Sequence, residues 1–183
     1  GTIYAFIIIL AFNKLSKSEI SSFLVESARI AEYQLSIVDE IMSISEECIK
    51  VLNNGGKLFF CGNGGSASDS QHLAAELVNR FKKNRDPIPA IALTTDTSVI
   101  TSISNDFGFK YIFSKQIEAI SNTTDLLFAI STSGLSENIT EALKMAKKKG
   151  MKTVLFTGKS AKSLNDYVDY FVYVPSDVTG VIQ

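Results

Sequence analysis

Five short, largely apolar runs recur along the second two-thirds of the chain: Leu58 to Cys61, Ala90 to Leu93, Asp125 to Ile130, Thr153 to Phe156 and Tyr170 to Val174. Each has the length of a strand buried on both faces. Between them apolar positions return at helical spacing. Ser136 to Lys149 is well signed as a helix, with Ile139, Ala142, Leu143 and Ala146 on one face, Glu137 and Glu141 near its start and Gly150 as its stop. Lys147, Lys148 and Lys149 fill its last turn, where a helix dipole welcomes cations. After the glycine turn Gly62 to Ser66 comes another helix, in which Leu73, Leu77 and Phe81, flanked by Ala74 and Val78, form the expected core stripe. Asp69, His72, Glu76 and Arg80 form a polar stripe along its edge. Thr94 to Asp106 reads as a loop entering a helix and Ile112 to Ile120 as a further helix. This alternation predicts an α/β fold, a five-stranded parallel sheet flanked by helices, with ligands bound beyond the carboxyl ends of the strands.

Two amphipathic helices precede the first strand, over residues 16–54. Ser16 and Glu19 form a capping-box pattern ahead of Ile20, Phe23, Leu24, Ser27 and Ala31. Val38, Ile41, Ser45, Cys48 and Leu52 continue the period as far as the stop Asn53-Asn54-Gly55-Gly56. Because they come before any strand they are not crossovers, and they are free to cover the sheet or another subunit. Residues 1–15 read as an N-terminal extension. Ile3 to Phe12 is almost wholly apolar but about half the ~20 residues that span a bilayer. It also lacks the basic flank and cleavage site of a secretory signal. A buried terminal helix or strand is the preferred reading, beside an upstream extension.

At 183 residues with 45% hydrophobic content and a net charge of −1, the chain has material for one sizeable core and no long basic run. A single domain is expected, with no nucleic-acid partner and no membrane partner. Cys48 and Cys61 have neither metal-ligand nor disulfide-framework spacing. Reduced thiols in apolar surroundings suit a cytoplasmic protein.

Two loops fall at the carboxyl ends of predicted strands. Gly62-Asn63-Gly64-Gly65-Ser66 can bring backbone N–H groups close to a ligand. Ser131-Thr132-Ser133-Gly134-Leu135-Ser136 offers four hydroxyls and the positive end of a helix, a cradle for an anion. Helix capping would use one or two of those hydroxyls, so a phosphate accounts for the pattern better. The loop carries no lysine and is not a Walker loop. Gly62, Gly64 and Ala67 match a dinucleotide fingerprint, but the acidic residue expected at the end of the second strand arrives late, as Asp96. His72 is the only histidine, and Glu76 stands one turn after it. Such a pair is commonly a surface contact. Beside an anion loop, however, a carboxylate is what an aldose–ketose isomerase needs to move a proton between adjacent carbons.

CGNGGSASDSQHLAAEL, LTTDTSVITSISNDFGF, ISTSGLSENI, KGMKTVLFTG and the terminal VIQ together resemble the phosphoheptose isomerase (sedoheptulose 7-phosphate isomerase) family, within the SIS-domain fold. The resemblance covers Gly55 to Gln183 closely and the two leading helices loosely. It implies a SIS-type αβα sandwich over residues 16–183, with the α/β core at 55–183. It also implies a further helix, carrying a second histidine, after Gln183.

By the same resemblance, the chain is an intramolecular oxidoreductase that converts sedoheptulose 7-phosphate to D-glycero-D-manno-heptose 7-phosphate, the first step of ADP- or GDP-heptose formation. The product would serve lipopolysaccharide core, capsule or another glycoconjugate. Substrate would be held at Asn63, Gly64, Gly65, Glu76, Asn105, Asp106 and Gln183, with Ser131, Thr132, Ser133 and Ser136 on the phosphate. Zinc would be bound by His72, Glu76, Gln183 and the further histidine, and Glu76 would carry the proton. A homotetramer with active sites between subunits is implied. The fold also serves non-catalytic proteins that associate with a replication initiator or sense sugar phosphates. The presence of His72 together with Glu76 favours the enzyme.

Overall fold

The computed structural model describes residues 16–158, 162–176 and 178. The expectation for residues 1–15 and the proposed ligand Gln183 lie outside the described residues. The elements are α1 (Lys17–Tyr33), α2 (Val38–Asn53), β1 (Leu58–Gly62), α3 (Gly65–Val78), β2 (Ala90–Ala92), α4 (Thr97–Phe107), α5 (Ser114–Ile120), β3 (Leu126–Ser131), α6 (Glu137–Lys148), β4 (Lys152–Thr157) and β5 (Tyr170–Tyr173). Short 3-10 turns at Gln34–Ile37, Phe109–Tyr111 and Lys162–Tyr167 complete the set. The 3-10 turn at Phe109–Tyr111 delays the helix expected from Ile112 until Ser114.

The five strands are all parallel in the order β2-β1-β3-β4-β5. The chain leaves β1 in one direction towards β2 and returns on its other side as β3. The switch point therefore lies between β1 and β3, and a crevice opens outside their carboxyl ends. Both the glycine turn and the serine loop emerge there.

The period of two along each strand divides the core. Phe59 and Cys61 of β1, Leu127 and Ala129 of β3 and Leu155 of β4 join Ile117 of α5 and Ile139, Ala142, Leu143 and Ala146 of α6. On the other face Leu58, Phe60, Leu126, Phe128, Val154 and Val172 meet Ile44 and Val51 of α2 and Ala74 of α3. Phe60 and Phe128 stack with centroids 5.0 Å apart across β1 and β3. Parallel strands covered on both faces explain why the strand runs are continuous rather than alternating.

The capping box at the start of α1 forms as expected. Ser16 N–H donates to Glu19 Oε2 at 2.8 Å, and Glu19 N–H donates to Ser16 Oγ at 3.3 Å. Of the two roles open to the helices before the first strand, covering the sheet is the one seen within the chain. α2 lies along β5, while Leu24, Val25, Leu35, Met42 and Ile49 remain exposed.

The core stripe of α3 differs from the expectation. The helix ends at Val78, so Phe81 falls beyond it and is 73% exposed, and Leu73 and Val78 are exposed too. The buried positions are Ser66, Ser70 and Ala74, with Leu77 packed beside them. The reason is the closeness of α3 to β1. A Cβ on Gly62 would lie 2.6 Å from the Ser66 carbonyl oxygen, so only small side chains fit between helix and strand. Ser70 Oγ satisfies itself by donating to Ser66 O at 2.8 Å. Arg80 also leaves the polar stripe and donates to Asn84. Arg85 finishes the helix by donating to the carbonyls of Glu76 at 2.8 Å and Leu77 at 2.7 Å, a cation at the negative end of the dipole.

Candidate active site

Gly64 takes φ +54°, open to glycine at little cost, and lets the chain turn from β1 directly into α3. Two turns later His72 and Glu76 stand one above the other, with His72 Nε2 3.3 Å from Glu76 Oε1. The second oxygen, Glu76 Oε2, is buried and has no hydrogen-bond partner among the described residues. An orphaned buried carboxylate oxygen is costly unless something else occupies it.

His72 does not face bulk solvent alone. Together with Asp69, Leu73, Ile130, Thr132, Phe156, Thr157 and Val174 it lines a cavity of about 310 Å³ over the ends of β3 and β4. One wall is thus the edge of α3, and another is the serine loop, through Thr132. Asp69 is held above the ordinary aspartate range by burial, against the pull of nearby His72.

The serine loop is arranged as a cradle. Gly134 takes φ +64°, and its N–H donates to Ser131 O at 3.1 Å, closing a tight turn. Ser136 occupies the N-cap position of α6, yet its side chain makes no capping bond. Ser131 Oγ, on a buried residue, reaches Ser136 Oγ at 3.4 Å, and Leu135 N–H donates to Ser133 Oγ at 3.2 Å. Simple capping therefore does not consume the hydroxyls. Two oxygens face each other at the positive end of a 12-residue helix, the environment an anion requires.

Asn63 and Ser136 share the wall of a second cavity, of about 560 Å³, with Lys110 and Asn138. Asn105 and Asp106 sit near the end of α4, exposed, with Asn105 Nδ2 donating to Asp106 Oδ1 at 2.8 Å. Neither lines the cavity that holds His72. Asp96, the late acidic residue of the fingerprint, accepts from Val99 N–H at 3.0 Å as the N-cap of α4. Its position is accounted for by helix capping.

Comparison with known proteins identifies the family of the fold. The SIS domain family model matches residues 23–158. A phosphoheptose isomerase of Maridesulfovibrio salexigens is 46% identical over 173 residues, 94% of this chain and 82% of that one. One from Roseiflexus sp. is 50% identical over 143 residues, 78% of this chain and 73% of its own length. The solved phosphoheptose isomerase of Francisella tularensis superposes with a TM-score of 0.87 at 37% identity, covering 92% of this chain and 91% of that one. The chain belongs to the phosphoheptose isomerase family of SIS-domain proteins.

The structure brings His72, with Glu76 beside it, and Thr132 of the serine loop to one cavity, and Asn63 and Ser136 to another. Sequence reasoning passed over Thr157 and Asn138, and it noted Asp69 only as a stripe residue. Thr157 is buried at the end of β4, where a threonine closing an apolar run carries no signal. The signal for Asp69 was available: it stands at i−3 from His72 on the same helix edge.

Proposed function

We propose that this chain interconverts sedoheptulose 7-phosphate and D-glycero-D-manno-heptose 7-phosphate, as an aldose–ketose isomerase of its family. The observation that carries the reading is that His72, beside Glu76, and Thr132 of the serine loop line one cavity. A sugar tethered by its phosphate at Ser131, Thr132, Ser133 and Ser136 would extend from the loop towards the edge of α3. Asn63, Gly64 and Gly65 would hold its middle, with Asn105, Asp106 and Gln183 as further ligands. Because Asn105 and Asp106 are exposed and lie outside the cavity, their ligand role is proposed across a subunit boundary.

The chemistry is a proton transfer. A carboxylate of Glu76 takes a proton from C1 of the ketose, giving a cis-enediol, and returns it to C2, while the O1 proton passes to O2. Atoms and electrons balance without any outside oxidant. Water exclusion falls to the apolar wall of Leu73, Ile130, Phe156 and Val174.

The residues present suit a metal ion in part. A Glu76 carboxylate with Oε1 near His72 Nε2 and Oε2 buried and unpartnered offers, with the imidazole, a two-donor half-site, and among the described residues no group of three His, Cys, Asp or Glu side chains completes it. His72 and Glu76 would hold zinc, with Gln183 and a further histidine of the family pattern as the remaining donors. Bound there, zinc would act as a Lewis acid on the sugar oxygens. The reading extends to a homotetramer in the cytoplasm, working at the first step towards ADP- or GDP-heptose for lipopolysaccharide or another glycoconjugate. No helix among the described residues is long and apolar enough to cross a membrane.

The test is Glu76→Gln, which keeps shape and removes the base. With sedoheptulose 7-phosphate followed by NMR, kcat should fall by about 100-fold or more, the range for loss of a positioned general base. A variant retaining near wild-type turnover would remove Glu76 from the chemistry.

A further inference from the structure

Asn138 lies in the first turn of α6 and is only 3% exposed. It pairs with a residue 75 positions away. Asn63 Nδ2 donates to Asn138 Oδ1 at 2.9 Å, and Asn138 Nδ2 donates to Asn63 Oδ1 at 2.7 Å. The two carboxamides thus form a closed reciprocal pair between the glycine turn after β1 and the helix that starts at the serine loop after β3. We propose that Asn138 is a positioning residue for the isomerisation, clamping the Asn63 carboxamide so that its unused donor and acceptor meet the sugar while the phosphate rests on the serine loop. The proposal rests on the isomerase reading above.

Each carboxamide carries two N–H donors and a carbonyl with two lone pairs. The reciprocal pair uses one donor and one lone pair of each, which fixes the plane of both groups. Half-buried Asn63, together with Ser136 and Asn138, borders the open cavity of about 560 Å³. Its second N–H and second lone pair are therefore left for a ligand. Without the clamp, a side chain flanked by Gly62 and Gly64 would rotate freely, and binding would have to freeze it.

A purely structural role explains the arrangement less well. The residue next to Asn138 is fully buried Ile139, and an apolar side chain at 138 would avoid the cost of burying a carboxamide. The pair also joins the turn proposed to hold the middle of the sugar to the loop proposed to hold its phosphate. Gly64, one residue after Asn63, is where α3 begins, and α3 carries His72 and Glu76. Fixing Asn63 against α6 sets the separation between the proton-transfer end and the phosphate end, on which a near-attack geometry depends.

The test is a double-mutant cycle in the full-length protein with Asn63→Ala, Asn138→Ala and both together. Each single variant should lower kcat/KM for sedoheptulose 7-phosphate about tenfold, equivalent to about 1.4 kcal/mol. The double variant should be no worse than either single one, because Asn138 acts through Asn63. Inhibition by inorganic phosphate, which probes the serine loop alone, should change by less than about twofold. Additive loss in the double variant, or wild-type kcat/KM in Asn138→Ala, would overturn the clamp. Side-chain amide exchange by NMR gives a readout free of turnover: slow for both carboxamides in the wild type, fast for Asn63 in Asn138→Ala and for Asn138 in Asn63→Ala. The second of these serves if Asn138→Ala does not fold, and fast exchange in the wild type would also overturn the clamp. A wild-type protein that does not turn over the sugar would instead overturn the isomerase reading beneath it.

Discussion

Ser133 shows how a single hydroxyl can be assigned by asking what it already does. Its Oγ accepts from Leu135 N–H, and the residue is exposed at the mouth of the loop proposed to hold the phosphate. A group that grips the phosphate contributes the same energy before and during proton transfer at the far end of the sugar. Uniform binding of this kind lowers KM and leaves kcat alone. Ser133→Ala should therefore raise KM for the sugar phosphate by about 10- to 150-fold, the worth of about 1.5–3 kcal/mol for a hydrogen bond to a charged group. Its kcat should stay within about twofold of wild type. Steady-state kinetics decide it, and a fall in kcat at constant KM would move Ser133 from anchoring to chemistry. Burial raises the Cys48 thiol to about 11 and pushes Cys61 up further, so at neutral pH neither supplies a thiolate nucleophile.

At the scale of elements, Asp169 ties together α6, β4 and the start of β5. Lys147 Nζ reaches its Oδ1 at 3.1 Å and Lys152 Nζ at 3.2 Å, while Thr153 N–H donates to Oδ2 at 3.0 Å. Burial alone would raise this carboxyl, but the bonds from Lys147, Thr153 and Lys152 outweigh it and hold the group below the ordinary aspartate range. A lowered carboxyl stabilises the fold above its unfolded pKa of about 3.9, and that contribution disappears as pH falls through the folded value. Asp169→Asn should therefore melt below wild type at neutral pH, with the gap closing below about pH 3.9. A gap independent of pH in thermal melts would show that shape rather than charge secures this corner.

The same scale shows what was legible in the sequence. All five strands stand where the apolar runs put them, and the face of α6 is buried residue for residue, because burial on both sides leaves a continuous hydrophobic mark. The face of α3 was misread for a physical reason. Hydrophobicity names Leu73 and Phe81, but the contact with β1 is so close that Ser66, Ser70 and Ala74 occupy it. Their spacing of four residues behind Gly62 was the available signal. Asn138 left no such signal, since a polar residue in the first turn of a helix looks solvated until its partner across 75 positions is placed beside it.

For the whole molecule, the question is what covers the outer face of the N-terminal helices. Leu35 is 75% exposed, and Leu24, Val25, Met42 and Ile49 are more than half exposed, all on α1, α2 and the 3-10 turn joining them. The apolar surface turned towards the sheet is already satisfied by Ile44 and Val51, and this second set stays exposed among the described residues. Burying a side chain of this size contributes about 1.5–3 kcal/mol, and several together suffice to hold subunits at low concentration. The proposed homotetramer then predicts a light-scattering mass four times the 20.0 kDa of one chain. Leu35→Asp would place a charge in that interface, at a cost of several kcal/mol for each ion desolvated, and should shift the mass towards dimer or monomer. If Asn105 and Asp106 serve a neighbouring site, turnover should fall in step with the mass, although Leu35 touches none of the proposed site residues. Full activity in a Leu35→Asp monomer would show that each chain carries a complete site of its own, and a wild-type monomer would leave the apolar face for a different partner.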